Sequence, residues 1–246
     1  MTDAWLPGAS QVRAAADGGP LQGGAPRVVW QSLGADPQFV TARSAAQRLI
    51  LLGRACHLVW NPLAGEIAQL IPIVRAACSL GSPESLQQAG PPGPEESGTL
   101  PGPAAAAPAE PAAMYSANFN AEGRLCVQIG VVAFAQAPFT SGPLSGLEAI
   151  MDWLDSWGIS RSWPAGTPAP FPQSLAAPRS RRLWARGGHF GASQVPHSPA
   201  VGPGAVNIER LTGPGAYPAI PSGRGPAEPN GSSADWASES AMSNAG

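Results

Sequence analysis

The sequence RLCVQIGVVAF, residues 124–134, is the clearest strand pattern in this chain of 246 residues. Its apolar residues run almost without interruption, which is typical of a strand that is buried on both faces. Further short strands and two helical patterns lie before and after it along the chain. Because strands interleaved with helices form a sheet that helices cover, the sequence predicts an α/β fold with a mixed central β-sheet.

The other strands are predicted from β-type residues and from turn residues. Residues 27–30 form a short β-type run. Residues 57–60 and 67–71 form a hairpin pattern around a turn at 61–66, in which Asn, Pro and Gly interrupt the apolar text.

Two helices are predicted from apolar residues at helical spacing. The first covers 41–52 and stops at Gly53, and the second covers 146–157. Ser145 and Glu148 fit a capping box at the start of the second helix. The apolar stripe of this helix consists of Leu147, Ile150, Met151, Leu154 and Trp157.

The domain organisation follows from the distribution of Gly and Pro, which number 30 and 29. We expect a flexible arm over 1–25 and one folded domain over 26–211. A Pro/Gly/Ala-rich insertion at 81–117 interrupts this domain, and a tail follows at 212–246. Both the insertion and the tail are predicted to be disordered, because they offer little apolar surface to offset the entropy of ordering.

The charge pattern excludes several classes of partner. The formal net charge is −2 with 12% charged residues, so no large field of one sign attracts nucleic acid or an anionic membrane. An arginine cluster beside Trp184 is interpreted as a solvated segment. Glu148, Asp152 and Asp155 are interpreted as a solvated stripe of the second helix rather than as a catalytic pair. The arginine cluster consists of Arg179, Arg181, Arg182 and Arg186.

The cysteines and the amino terminus bear on the compartment. Cys56, Cys78 and Cys126 are odd in number and lack the spacing of a disulfide framework. The first residues lack a secretory signal, and the apolar stretches are too short to span a bilayer. We expect a cytoplasmic protein without membrane insertion. The sequence leaves the oligomeric state open.

Three segments carry the functional signal: CHLVWNPLAGEIAQLIP at 56–72, RGGHFGASQVP at 186–196 and GPG at 202–204. In this order they resemble motifs of the N-acetylmuramoyl-L-alanine amidase family, which includes phage amidase endolysins and peptidoglycan recognition proteins. The corresponding family text reads YHFVIDRDGTIYQLVP, GHSQVP and DPG. The strand at 124–130, which follows Asn120, is similar to the family's IGV-containing strand.

The resemblance implies a zinc hydrolase that cuts the amide between the lactyl group of muramic acid and the first L-alanine of the stem peptide. Zinc in such a site lowers the pKa of its bound water to about 7 and polarises the carbonyl group. In the family, the ligands are a His after the first strand, the His of GHSQVP, and an Asp or Cys before PG.

This sequence departs from the family at all three ligand positions. They fall on Gln31 (or Trp30, if the alignment shifts by one), Ala192 and Gly202. A carboxamide is a poor zinc ligand, and Ala and Gly supply no side-chain ligand. We therefore expect no metal and no cofactor, and we expect the three positions to meet at one end of a cleft.

Two further family positions also differ. The catalytic Tyr of the family aligns with Cys56, and its later Lys or His aligns with Ala200. The sequence thus predicts an amidase-like protein without catalysis. We expect it to bind peptidoglycan or muropeptide fragments in a groove lined by His57, Trp60, His189 and Gln194.

Two other hypotheses stay open at this point. One is an active amide hydrolase with a rearranged metal site, because His189 and His197 are predicted to lie in loops around the lost site. The other is a decayed gene copy without function.

Overall fold

The computed structural model describes residues 2–80 and 118–214, which form one six-stranded mixed sheet with helices on both faces. The strand order is β1-β4-β3-β5-β2-β6. The predicted α/β class with a mixed central sheet is confirmed. The strands are β1 (Ser10–Gln11), β2 (Arg27–Ser32), β3 (Leu58–Asn61), β4 (Glu66–Gln69), β5 (Cys126–Val131) and β6 (Gly188–Gly191).

The centre of the sheet is parallel. Strand β2 runs parallel to both of its neighbours, β5 and β6, and β5 runs parallel to β3. Strands β3 and β4 form the predicted antiparallel hairpin. All six residues of β5 are buried, as its continuous apolar sequence predicts.

Four helices pack on this sheet: α1 (Ala42–Leu51), α2 (Leu147–Ser156), α3 (Arg181–Trp184) and α4 (Ile208–Thr212). Helix α1 begins where the sequence predicts, because the Thr41 side chain accepts a hydrogen bond from the Ser44 main-chain nitrogen at 3.1 Å. It ends before Gly53, which has a φ of +64°. Within the described residues, no helix has the length and apolar character needed to cross a membrane.

The two faces of the sheet have different covers. Alternate residues of β2 and β5, such as Trp30 and Ile129, pack under Ile150 and Leu154 of α2, and we call this side the α2 face. On the other side, which we call the α1 face, alanines of α1 pack over β3 and β4. Trp184 of α3 packs on this same side, against residues of β2 and β6.

The start of α2 differs from the predicted capping box. The residue before the helix is Gly146, with a φ of +83°, and no side chain caps the helix. This left-handed conformation is one that glycine adopts easily. Trp153, which lies outside the predicted apolar stripe, is also buried. The acidic stripe of α2 is exposed, as expected.

The amino-terminal segment is bound to the sheet instead of forming a flexible arm. Strand β1 pairs with β4, and Leu6 is buried against the core of the α2 face. The buried side chain of Gln69 accepts a hydrogen bond from the Leu6 nitrogen and donates one to the Ala4 carbonyl oxygen. The composition did not reveal this, because the contacts are mainly to the backbone.

The predicted insertion at 81–117 lies outside the described residues, as does the predicted tail from 215 onward. The tail prediction began at 212, yet Thr212 belongs to α4. Its hydroxyl is buried and accepts a hydrogen bond from the indole nitrogen of Trp163 at 3.0 Å.

A buried amide joins the two described parts of the chain. The side-chain oxygen of Gln128 on β5 accepts hydrogen bonds from the nitrogen and the hydroxyl of Ser79. The side-chain nitrogen of Gln128 donates to the side-chain oxygen of Asn120, which also accepts from the Leu80 nitrogen. Residues 80 and 120 are therefore tied together at the same edge of the domain.

The Gln69 contacts give a stability prediction. Replacing Gln69 by Ala leaves the Leu6 nitrogen and the Ala4 oxygen without their partner, so unfolding should become easier by about 2–4 kcal/mol. Amide hydrogen exchange at Leu6 should accelerate before the rest of the sheet opens. The control is Gln47→Ala on the exposed side of α1, which should change stability little. An unchanged Leu6 exchange rate in Gln69→Ala would contradict the bound arm.

Candidate functional site

The candidate site is a cavity of about 420 Å³ on the α1 face. It lies at the carboxyl end of β2, beside α1, and this end of a parallel sheet is where α/β proteins commonly bind ligands. One wall is apolar and includes Leu33, Val40 and Leu49. The polar groups on its lining are Gln31, Ser32, Ser44, Arg48, Arg54 and Ser79.

Hydrogen bonds fix the polar floor of the cavity. The side-chain nitrogen of Gln31 donates to the Ser79 hydroxyl at 2.5 Å, and this hydroxyl donates to Gln128 at 2.5 Å. Among the described residues, no donor reaches the side-chain oxygen of Gln31. The floor is therefore positioned by the interior of the protein, with one amide oxygen left as an acceptor.

The three positions that the resemblance aligns with zinc ligands lie near one another at this end of the sheet, and of the three only Gln31 lines the cavity. Trp30 pairs with Gly191 in the register of β2 and β6, so Gln31 and Ala192 follow on neighbouring strands. The Ser193 nitrogen donates to the Gly202 carbonyl oxygen at 2.9 Å. A Cβ atom on Gly202 would lie 3.8 Å from the Cβ of Ser32, the residue after Gln31.

These residues do not fit a zinc ion. Ala192 has no donor atom, and the amide nitrogen of Gln31 is already bonded to Ser79. Gly202 also lacks the room for a ligating side chain, because a Cβ atom there would lie 2.6 Å from the Ala135 carbonyl oxygen. Restoring a ligand at this position would require the main chain to move.

Cys56, at the position of the family's catalytic Tyr, is fully buried. Burial raises the pKa of its thiol to about 12, and the thiol donates to the Leu58 carbonyl oxygen. It therefore stays protonated at neutral pH and cannot act as a base or nucleophile. Ala200 is half-buried, and its carbonyl oxygen accepts a hydrogen bond from Arg179.

His57, one of the residues predicted to bind ligand, is part of the sheet interior. Its Nδ1 atom accepts a hydrogen bond from the Gln128 main-chain nitrogen, and its Nε2 bonds to the Arg75 carbonyl oxygen at 2.8 Å. The ring is therefore held neutral with its proton on Nε2. Burial lowers the pKa of His57 to about 4, although the Arg75 carbonyl opposes this shift.

His189 and Trp60, also predicted to bind ligand, lie in the core of the α2 face. His189 is on strand β6 rather than in the expected loop, and its ring is enclosed by Trp30 and Trp163. Its Nδ1 accepts a hydrogen bond from the Trp30 indole nitrogen at 3.0 Å. Burial lowers the pKa of His189 to about 3. Trp60 donates its indole hydrogen bond to the Ser145 carbonyl oxygen.

Gln194, the fourth predicted residue, holds the turn after β6. Its side chain accepts from the Gly191 nitrogen and donates to the Gly166 carbonyl oxygen. None of the four residues that were predicted to bind ligand is more than 8% exposed. Because the chain itself encloses these four side chains, the prediction that they line a ligand groove is wrong, and a ligand in the cavity would meet other side chains.

His197 completes the set of histidines. It is exposed, with a φ of +56°, and its ring lies 5.8 Å from that of Phe119. Across residues 2–80 and 118–214, no three His, Cys, Asp or Glu side chains come together in a way that could hold a metal ion.

The sequence analysis missed the residues that line the cavity from α1 and from the segments after it. The apolar spacing predicted a helix over 41–52 without assigning a role to Ser44, Arg48 or Arg54, and Ser79 lies next to the low-complexity insertion. The available signal was indirect: Arg48 lies within the predicted helix, and Arg54 directly follows its stop at Gly53.

Comparison of the chain with models of protein families, with curated proteins and with solved structures finds no match.

The two buried histidines predict a pH dependence of stability. Their folded-state pKa values lie below the ordinary value of about 6.5, so the unfolded chain binds more protons below that pH. The stability that they contribute is fully present above pH 6.5 and is lost as the pH falls toward 4. At pH 4.5 the loss should be about 2–3 kcal/mol for each histidine.

Chemical denaturation of the wild type, His57→Gln and His189→Gln at several pH values tests this. In each histidine variant, the free energy of unfolding should change less steeply with pH between 6.5 and 4.5, by about 1.4 kcal/mol per pH unit. Phe190→Leu, which disturbs the core beside His189 without removing a titrating group, should lower stability and keep the wild-type slope. Equal slopes in all four proteins would show that the histidines are not buried as described.

Proposed function

We propose that this protein is an amidase-like binding protein that holds peptidoglycan or muropeptide fragments in the α1-face cavity without hydrolysing them. The observation that carries the proposal is that Gln31 lines a ligand-sized cavity, with Ala192 following on the neighbouring strand and Gly202 bonded through its carbonyl oxygen to Ser193. These are the positions at which the resembled family holds zinc, and here they offer no ligand set.

The placement of the quoted motifs supports the amidase-like part of the proposal. The segment that resembles YHF enters β3, the IGV-like strand is β5, and the GHSQVP-like segment follows β6. Parallel pairing brings the carboxyl ends of β3, β5, β2 and β6 to one edge. Motifs that are far apart in sequence therefore lie on neighbouring strands of one sheet, and this adjacency supports assigning them to one site.

The state of the reacting groups supports binding without hydrolysis. Amide cleavage requires an activated nucleophile and stabilisation of the developing oxyanion. At this end of the sheet the thiol of Cys56 is protonated and enclosed, and Gln31 is occupied by Ser79. The remaining features of the cavity, an apolar wall and fixed polar groups, are those of a binding site.

Retention on insoluble peptidoglycan tests the binding function. The wild-type protein should sediment with the polymer, whereas Ser44→Trp, which fills the cavity, should lose about tenfold in apparent affinity. Gln47→Trp is the matched control, because it adds the same indole on α1 but lies outside the cavity lining. It should bind like the wild type. Retention of the wild type no better than that of an unrelated protein would refute the proposal and leave the decayed copy as the better hypothesis.

A second measurement separates binding from catalysis. Metal analysis of the purified protein should find no stoichiometric zinc, and a cell-wall zymogram should show no clearing. One equivalent of tightly held zinc, together with clearing in the zymogram, would favour the active hydrolase with a rearranged metal site.

A further inference from the structure

The α1-face cavity carries positive charge. Arg48 and Arg54 are both on its lining, and among residues 2–80 and 118–214 no acidic side chain lines it. The ion pairs of the described residues involve other arginines: Arg27, Arg75, Arg161 and Arg181. The cavity is therefore a place where an anionic group gains Coulombic attraction and finds no carboxylate to repel it.

The two arginines reach the cavity from the end of α1 and from the segment directly after it. Arg48 lies in the last turn of α1, and Arg54 follows the helix end at Gly53. One guanidinium nitrogen of Arg54 lies 3.4 Å from the Ser79 carbonyl oxygen, which holds Arg54 against the polar floor. A guanidinium group presents several N–H donors in a plane and pairs well with the two oxygens of a carboxylate.

The rest of the lining defines the other part of the ligand. Leu33, Val40 and Leu49 form an apolar wall, and the side-chain oxygen of Gln31, which no donor among the described residues reaches, can accept a hydrogen bond from a ligand. A small peptide with a free carboxylate offers all three matching features: an anion, an N–H donor and an apolar side chain.

We infer that this cavity selects ligands with a free carboxylate next to an apolar side chain, and that Arg48 and Arg54 make the selection. The inference rests on the proposed function only for the identity of the natural ligand. The charge selection itself follows from the lining residues.

A pair of peptides that differ only in charge tests the inference. The probes are N-acetyl-L-alanyl-L-leucine and its carboxamide, titrated into the full-length protein while NMR shifts of the α1 amides and the Gln31 side-chain amide are recorded. The acid should bind at least about tenfold more tightly than the amide. Raising the salt concentration should weaken binding of the acid more than binding of the amide, because the arginines are exposed.

The variants assign the selection to its residues. Arg48→Gln and Arg54→Gln should each reduce the preference for the acid, and the double variant should abolish it. The control is the double variant Arg182→Gln with Arg186→Gln. It removes the same amount of charge at one exposed residue of α3 and one exposed residue just after it, and it should keep the wild-type preference for the acid. Equal binding of acid and amide, no binding of either, or a preference that survives in the Arg48 and Arg54 double variant would overturn the inference.

The two proposals fail in different ways. Retention on peptidoglycan without any preference for the acid would refute the charge selection and leave the proposed function standing. Arginine-dependent binding of the acid without retention on peptidoglycan would refute the proposed function and leave the charge selection standing.

Discussion

The interior position of Gln128 is the constraint on which much of this structure depends. Its side chain lies on a strand that is buried on both faces, so its donor and its acceptor need partners within the protein. Those partners are Ser79 and Asn120, while its main-chain nitrogen bonds to His57. The side-chain amide thus joins the segment before residue 81 to the segment after residue 117, and the main-chain nitrogen of the same residue fixes the start of β3.

The cavity exists because the covers of the α1 face leave a gap. Helix α1 packs its alanines on β3 and β4. Trp184 and Phe190 pack on the same face of the sheet, but farther along it, near β2 and β6. Between these two covers the floor consists of polar side chains, and Ser79 connects Gln31 to the Gln128 network. The site is therefore held by the core and needs no ligand to keep its shape.

The fold was largely predictable, because periodicity reports burial directly. Continuous apolar text identified β5, and alanines at helical spacing identified α1. The bound arm was missed because Ser10–Gln11 pairs through main-chain groups that composition does not report. The capping box at Ser145 failed because Gly146 lies between it and the helix in a left-handed conformation.

The site was harder to predict, since motif position does not tell whether a side chain reaches solvent. His57, Trp60, His189 and Gln194 belong to quoted motifs, yet packing and hydrogen bonds enclose them. Arg48 and Arg54 stand outside the motifs, and only the tertiary placement of α1 brings them to the cavity.

The tie between Leu80 and Asn120 has a consequence for how this chain tolerates change. The bond from the Leu80 nitrogen to Asn120 joins the two described parts of the chain beside the central strand β5 without using residues 81–117. Since the entropy of closing a loop grows only slowly with its length, the stretch between these anchors can be shortened, exchanged or replaced by a whole foreign domain at small thermodynamic expense. Changes of length between residues 80 and 120 should therefore leave the described fold intact.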